Sequence, residues 1–229
     1  MKALKVHKTG VLPKEIHALL RSLYQIGFFS HSLLAGSWVF PLYKAVFNIR
    51  YALKTFDIDF AIDLISLGSA KPVNMESLFK DLGYIPVIDY ATGLRKYSRE
   101  GFEIEFLVQR KGNRDPDHIP IPRLNVTATP LPFLDILFQS PLIINLADFT
   151  IRVPCPEALF IHKLIVAQRR TNSIKKENDL SQCQALIPVL ETNKLQKIIR
   201  TMKLGPKSKK AILTSCETVH FPPQKLGFR

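Results

Sequence analysis

Apolar positions along this chain change period twice, and the changes mark out its elements. Ile16, Leu19, Leu20, Leu23 and Ile26 recur at helical spacing. Pro13 suits the first turn of such a helix and Gly27 its stop, so "LPKEIHALLRSLYQIGFF" predicts a helix. "SLLAG" is a short apolar run. "WVFPLYKAVF" then predicts a helix starting at Gly36-Ser37, with Pro41 near the first turn, where proline is best tolerated. In "KTFDIDFAID" the period falls to two. Ile58, Phe60 and Ile62 share one face of a predicted strand, and Asp57, Asp59, Ala61 and Asp63 share the other. A helix follows in "NMESLFKDLG", capped by Asn74 and stopped by Gly83. "IPVIDY", "LRKYS" and "FEIEFLVQ" predict three strands separated by the turn signals "ATG" and "REG". "RKGNRDPDHIPIP" reads as a loop, and Leu124 to Val153 as mixed, with one short helix in "LPFLDILF". From Pro154 the period turns helical again, in "PEALFIHKLIVAQRR", "KKENDLSQCQALIPVLE", "KLQKIIRTM" and "SKKAILTSCETV". The order predicts an α+β or α/β sheet domain over 1–153 and a helical domain over 154–229.

Composition narrows the class. A chain of 229 residues that is 46% hydrophobic and 10% aromatic is globular, and long enough to bury a substantial core. Cys155, Cys183 and Cys216 are odd in number and form no CxxC pair, which argues against a disulfide framework or zinc site and fits a reducing compartment. The N-terminus has no apolar signal core and no apolar run approaches membrane-spanning length, so the expected location is the cytoplasm, without membrane contact. The net charge of +13 fits a polyanionic partner, such as nucleic acid or nucleotide phosphate; a solubilising surface would account for it equally well. P-loop, Gly-x-Gly-x-x-Gly and Gly-x-Ser-x-Gly motifs are absent, and none of the six histidines has metal-pair spacing.

The acidic strand face is the chemical puzzle. Asp is depleted from strands, and carboxylates two positions apart repel each other. Two carboxylates on one face can however share oxygen-ligand duty for Mg²⁺, which bridges readily to substrate phosphates, and a pair of ions can clamp both oxygens of a displacement at phosphorus. Asp-x-Asp alone is common on solvated sheet edges. Two further features give it weight. Gly36-Ser37 lets a ligand approach the backbone at a helix start, though an ordinary strand–turn–helix corner would look the same. Glu103 and Glu105 form a second acidic strand face that can supply a third carboxylate as ligand or general base, though an exposed amphipathic strand also reads so.

Gly-Ser after the first strand, then Asp-x-Asp, then an acidic residue on a later strand resembles the nucleotidyltransferase fold of the DNA polymerase β superfamily. "VPCPEALFIHKLIVAQRRTNSIKKENDLSQ" is more closely similar to a bacterial nucleotidyltransferase-fold family related to abortive-infection toxins. The resemblance implies a mixed β-sheet with flanking helices, followed by C-terminal helices that bind nucleotide and acceptor. It implies that Gly36 and Ser37 hold nucleotide phosphates, that Asp57, Asp59 and Glu105 are catalytic and ligate Mg²⁺ at a two-metal site, and that Lys163 and Arg170 reach the triphosphate. Asp179 would orient these cations. Asn178 stands where the family usually has Lys, so Lys175 or Lys176 would take its phosphate role, and Lys176 is assigned to it. The implied activity is transfer of a nucleoside monophosphate from an NTP to a hydroxyl of RNA (tRNA included) or protein, with release of pyrophosphate; an aminoglycoside is a further candidate acceptor. The rival expectation is a non-catalytic nucleotide- or RNA-binding component of a toxin–antitoxin-type system. Without the acidic strand, Lys163, Arg170, Lys175 and Lys176 would read as a solvated helix face and His162 as a packed histidine.

Overall fold

The computed structural model describes residues 3–6, 10–52, 55–90, 93–112 and 116–228. Lys54 at the start of "KTFDIDFAID", two residues of the "ATG" turn and part of the loop after Arg110 lie outside them. The chain opens with β1 (Leu4–Lys5) and α1 (Lys14–Gln25). The apolar stripe of α1 is buried, and Gly27, at φ 74°, turns the chain out of it. Next come β2 (Ser32–Leu34), a single 3₁₀ turn at Gly36–Trp38 and α2 (Val39–Phe47). β3 (Asp57–Ile62) leads into the one-turn α3 (Leu64–Leu67). Asp63 caps α3 by accepting a 3.0 Å bond from the Ile65 N–H, which separates it in function from the other acids of its strand. α4 (Met75–Asp81) is capped by Asn74, as its sequence predicts.

β4 (Ile85–Ile88), β5 (Arg95–Arg99) and β6 (Phe102–Gln109) form an antiparallel meander. Glu100 and Gly101, at φ 51° and 85°, make the two-residue turn in which both central residues need positive φ. β7 (Ile119–Ile121), β8 (Val126–Leu131), β9 (Leu142–Asn145) and β10 (Thr150–Val153) follow, with a 3₁₀ turn over Leu134–Phe138. Pro120 and Pro130 interrupt the alternation of β7 and β8, which is why the first reads as loop and the second as mixed text. The remainder is helical: α5 (Pro156–Ala167), α6 (Ser173–Leu186), α7 (Thr192–Thr201) and α8 (Pro206–Thr218).

The main sheet is mixed, in the order β2-β3-β6-β5-β4. β6 is its spine. It pairs in parallel with β3 along its length, while β5 takes the start of its other edge and β8 the end. β1, β9 and β10 form a separate small sheet. One face of the main sheet is greasy: Phe60 and Phe106 stack at 6.1 Å, with Phe28 and Phe79 packed on them. Each such aromatic contributes about 1.5–3 kcal/mol by burial. Every residue of α5 is buried, and the buried Tyr43 hydroxyl donates a 2.6 Å bond to the Pro154 carbonyl, tying α2 to its start.

Candidate active site

In a parallel pair, residues in register share a face. Asp57 stands opposite Glu103 and Asp59 opposite Glu105, so β3 and β6 gather four carboxylates on the sheet face turned away from the aromatic core. Carboxylate oxygens of Asp57, Glu103 and Glu105 all lie within 4.8 Å of one another, a spacing that one cation could bridge. Lys96 stands beside them from β5. It forms an ion pair with Glu105 and another at 3.1 Å with Glu103. Burial works against the Lys96 charge, but the two glutamates outweigh it and raise its pKa. The two-residue turn at Glu100-Gly101 fixes this neighbourhood: Ser98 opposes Glu103, so Lys96, two residues back, falls beside Glu105.

Asp59 lines the same cavity, with its carboxylate turned toward Gly36. Gly36 has φ 62°, and a Cβ there would lie 2.8 Å from Asp59 Cγ and overlap the carboxylate. Only glycine meets both the dihedral and the space. Burial, then Glu105 and Asp57, push the Asp59 carboxyl up to about 7. Burial, then Glu105, also raise Asp57, against the pull of Lys175 and Lys96. Such a cluster favours any cation that relieves it.

α5 and α6 roof the cleft with positive charge. Lys163 and Arg170 pair with opposite oxygens of the buried Asp179, at 2.7 and 2.9 Å. Burial alone would raise Asp179, but the two cations outweigh it and hold its pKa low. α5 ends at Ala167, so Arg170 lies in the turn beyond it rather than on a shared helix face with Lys163; the carboxylate of Asp179 brings the two together. Lys175 lines the cavity together with Ile174, Asn178, Asp179 and Gln182 of α6, whereas Lys176 falls outside that helix face. Of the two lysines weighed for the phosphates, the structure places Lys175 at the cleft.

The cavity has a volume of about 390 Å³ and is lined by Gly36, Ser37, Asp57, Asp59, Glu105, Lys163 and Arg170, all singled out in the sequence. Glu103 joins the carboxylate cluster at its edge. Sequence reasoning missed Lys96, Gln182 and the cavity-lining role of His162. Gln182 Nε2 donates to Ser37 Oγ at 2.7 Å and to Tyr51 Oη at 2.8 Å, bridging the helical half to the Gly-Ser corner. Its spacing from Lys175 and Asn178, seven and four residues, was the available signal.

A mixed sheet carrying paired acidic strands, a Gly-Ser corner and a cationic helical roof defines a nucleotide-handling architecture. The sequence matches the family described as nucleotidyltransferase over residues 14–203, and the chain belongs to that family of enzymes. Its fold is similar to that of an antigenic nucleotidyltransferase-like protein from Paracoccidioides brasiliensis, with TM-score 0.54, 14% identity and coverage of 93% of this chain and 91% of the other. A more distant similarity is to ANT(2")-Ia, solved with adenylyl-2"-tobramycin, at TM-score 0.41 and 12% identity, covering 96% and 94% of the two chains. No curated protein sequence matches the chain. No described helix is long and apolar enough to cross a membrane.

Proposed function

We propose that the chain is a Mg²⁺-dependent nucleotidyltransferase of the DNA polymerase β superfamily, akin to abortive-infection toxins, that moves a nucleoside monophosphate from an NTP to an acceptor hydroxyl. The observation that carries the reading is the parallel register of β3 and β6, which sets four carboxylates beside Gly36-Ser37 and beneath Lys163, Arg170 and Lys175. Mg²⁺ held by Asp57, Asp59 and Glu105 would neutralise phosphate charge, and the crowding that raises Asp57 and Asp59 fits such an ion. Gly36 leaves room for a phosphate near the backbone, and the Ser37 hydroxyl can donate to it. Lys163 and Arg170 use one donor each on Asp179 and keep others for the β- and γ-phosphates. The acceptor hydroxyl gives its proton to Glu105 as its oxygen bonds to the α-phosphorus; the bond to the β-phosphate oxygen breaks, and pyrophosphate leaves against the cations. The rival, a non-catalytic binding component, would have no need of the complete acidic set that this cleft contains.

In this reading 1–153 carries the chemistry and 154–229 grips nucleotide and acceptor. RNA is the favoured acceptor on charge. Three buried free cysteines favour the cytoplasm. The test is incubation with each α-labelled NTP, Mg²⁺ and total RNA or total protein. Label should enter one macromolecular pool with wild type and none with Asp57→Asn of unchanged circular dichroism. Absence of labelled product in both pools, with each of the four nucleotides, would sink the proposal.

A further inference from the structure

Beyond the carboxylates the cleft changes character. Toward the C-terminal ends of β6 and β8 its walls are Leu107, Leu131, Leu134, Leu159 and Val166, under α5 and the 3₁₀ turn after Phe133. His162 lines this inner chamber and is 7% exposed. Its Nε2 is buried without a partner among the described residues. In a neutral imidazole Nε2 can donate or accept one hydrogen bond, according to tautomer. Burial, then the Lys163 charge, lower the His162 pKa to about 3, so the ring is neutral in the working range. An apolar slot with one unmet polar nitrogen calls for a flat apolar body with a hydrogen-bonding edge.

We propose that this chamber takes the base of the nucleotide and that His162 Nε2 makes a hydrogen bond with the polar edge of that base. The inference rests on the transferase reading above and adds to it the group that reads the base. Triphosphate drawn to Lys163, Arg170 and Ser37 leaves the base as the part of the nucleotide free to enter an apolar space. A cavity of about 390 Å³ lies near the small end of ligand pockets, roughly 300–1,000 Å³, and suits one nucleotide rather than a nucleotide with a polymer end. A macromolecular acceptor must then reach the carboxylates from outside this chamber.

The experiment compares binding of ATP, CTP, GTP, UTP and inorganic tripolyphosphate, each with Mg²⁺, to the full chain by calorimetry. His162→Phe keeps a ring but no nitrogen, and Leu131→Trp fills the chamber while leaving His162 in place. The expected result is a loss of about tenfold or more for the best-bound NTP in both variants, as one hydrogen bond left unmade or one blocked slot would give. Tripolyphosphate affinity should stay at the wild-type value. If His162→Phe does not fold, Leu131→Trp decides alone. NTP affinity unchanged in the folded variants, or falling in step with tripolyphosphate, overturns the base chamber while leaving the transferase reading intact. Wild type that binds neither NTP nor tripolyphosphate overturns both.

Discussion

Asp59 shows how a single side chain can be set against its own fold. Its carboxyl is pushed up to about 7, first by burial and then by Glu105 and Asp57. An acid whose folded pKa lies above its unfolded value adds stability below the unfolded pKa and loses it as pH rises through the folded one. In the absence of divalent cations, wild type should therefore lose stability between about pH 4 and pH 8. Asp59→Asn removes the charge but keeps the shape. In EDTA it should raise the melting temperature more at pH 8 than at pH 5, where less of the penalty has built up, by roughly 2–4 °C for each kcal/mol relieved. Equal shifts at both pH values would show that Asp59 is not held in this environment. Asp179 is the opposite case, since Lys163 and Arg170 hold its pKa low in spite of burial. Lys163 is for that reason an impure probe of phosphate binding. Removing it would break a buried pair, a change that typically costs about 3–5 kcal/mol in stability by itself.

On the scale of elements, α6 offers a cleaner comparison. Lys175 lines the cleft and acts on Asp57, whereas Lys176, one residue on, lies outside the cavity. Lys175→Met should weaken NTP binding by about 1.5–3 kcal/mol, the range for a hydrogen bond to a charged group, and Lys176→Met should leave it unchanged. Equal small effects in a direct titration would return both residues to a solvated helix face. The two lysines also mark where sequence stops being informative. The acidic strands were legible because period two and unwelcome carboxylates coincide in "DIDF" and "FEIEF". The α1 stripe, the Asn74 cap and the "REG" turn were legible because local chemistry decides them. Which lysine faces the cleft depends on the rotation of α6 about its axis. That rotation is set by the buried Leu180, Cys183 and Leu186 packing against neighbours far along the chain. β8, which lines the inner chamber, was hidden because Pro130 breaks its alternation and its partner strand is set by tertiary contacts. His162 was discounted for a related reason: nothing local to α5 reveals that Nε2 faces an apolar slot with no partner.

For the molecule as a whole, the excess charge of +13 has a location that bears on the acceptor. From Thr192 to Lys210 the chain contains no acidic residue, and Arg200, Lys203, Lys207, Lys209 and Lys210 are all exposed. Arg169 donates a 3.1 Å bond to Ser208 Oγ, which ties the first turn of α8 to the end of α5, one residue from the Arg170 that lines the cleft. Positive surface thus continues from the cleft rim onto α8. A strand of RNA lying there would place its phosphates against lysines while its terminal hydroxyl reached toward Glu105. Binding of that kind releases counterions, so log affinity should fall linearly with log salt, with a slope of about −0.7 for each phosphate neutralised on a single strand. Lys209→Met with Lys210→Met should lower RNA affinity similarly for all sequences and make the slope shallower by about one to two. NTP affinity should not change, because neither residue lines the cavity. The measurement is a salt titration of RNA binding for wild type and the double variant, with NTP titrated in parallel. An unchanged salt slope would remove α8 from the acceptor path and leave its charge as solubilising surface. Loss of NTP binding together with RNA binding would instead show that the double variant had damaged the helical half as a unit.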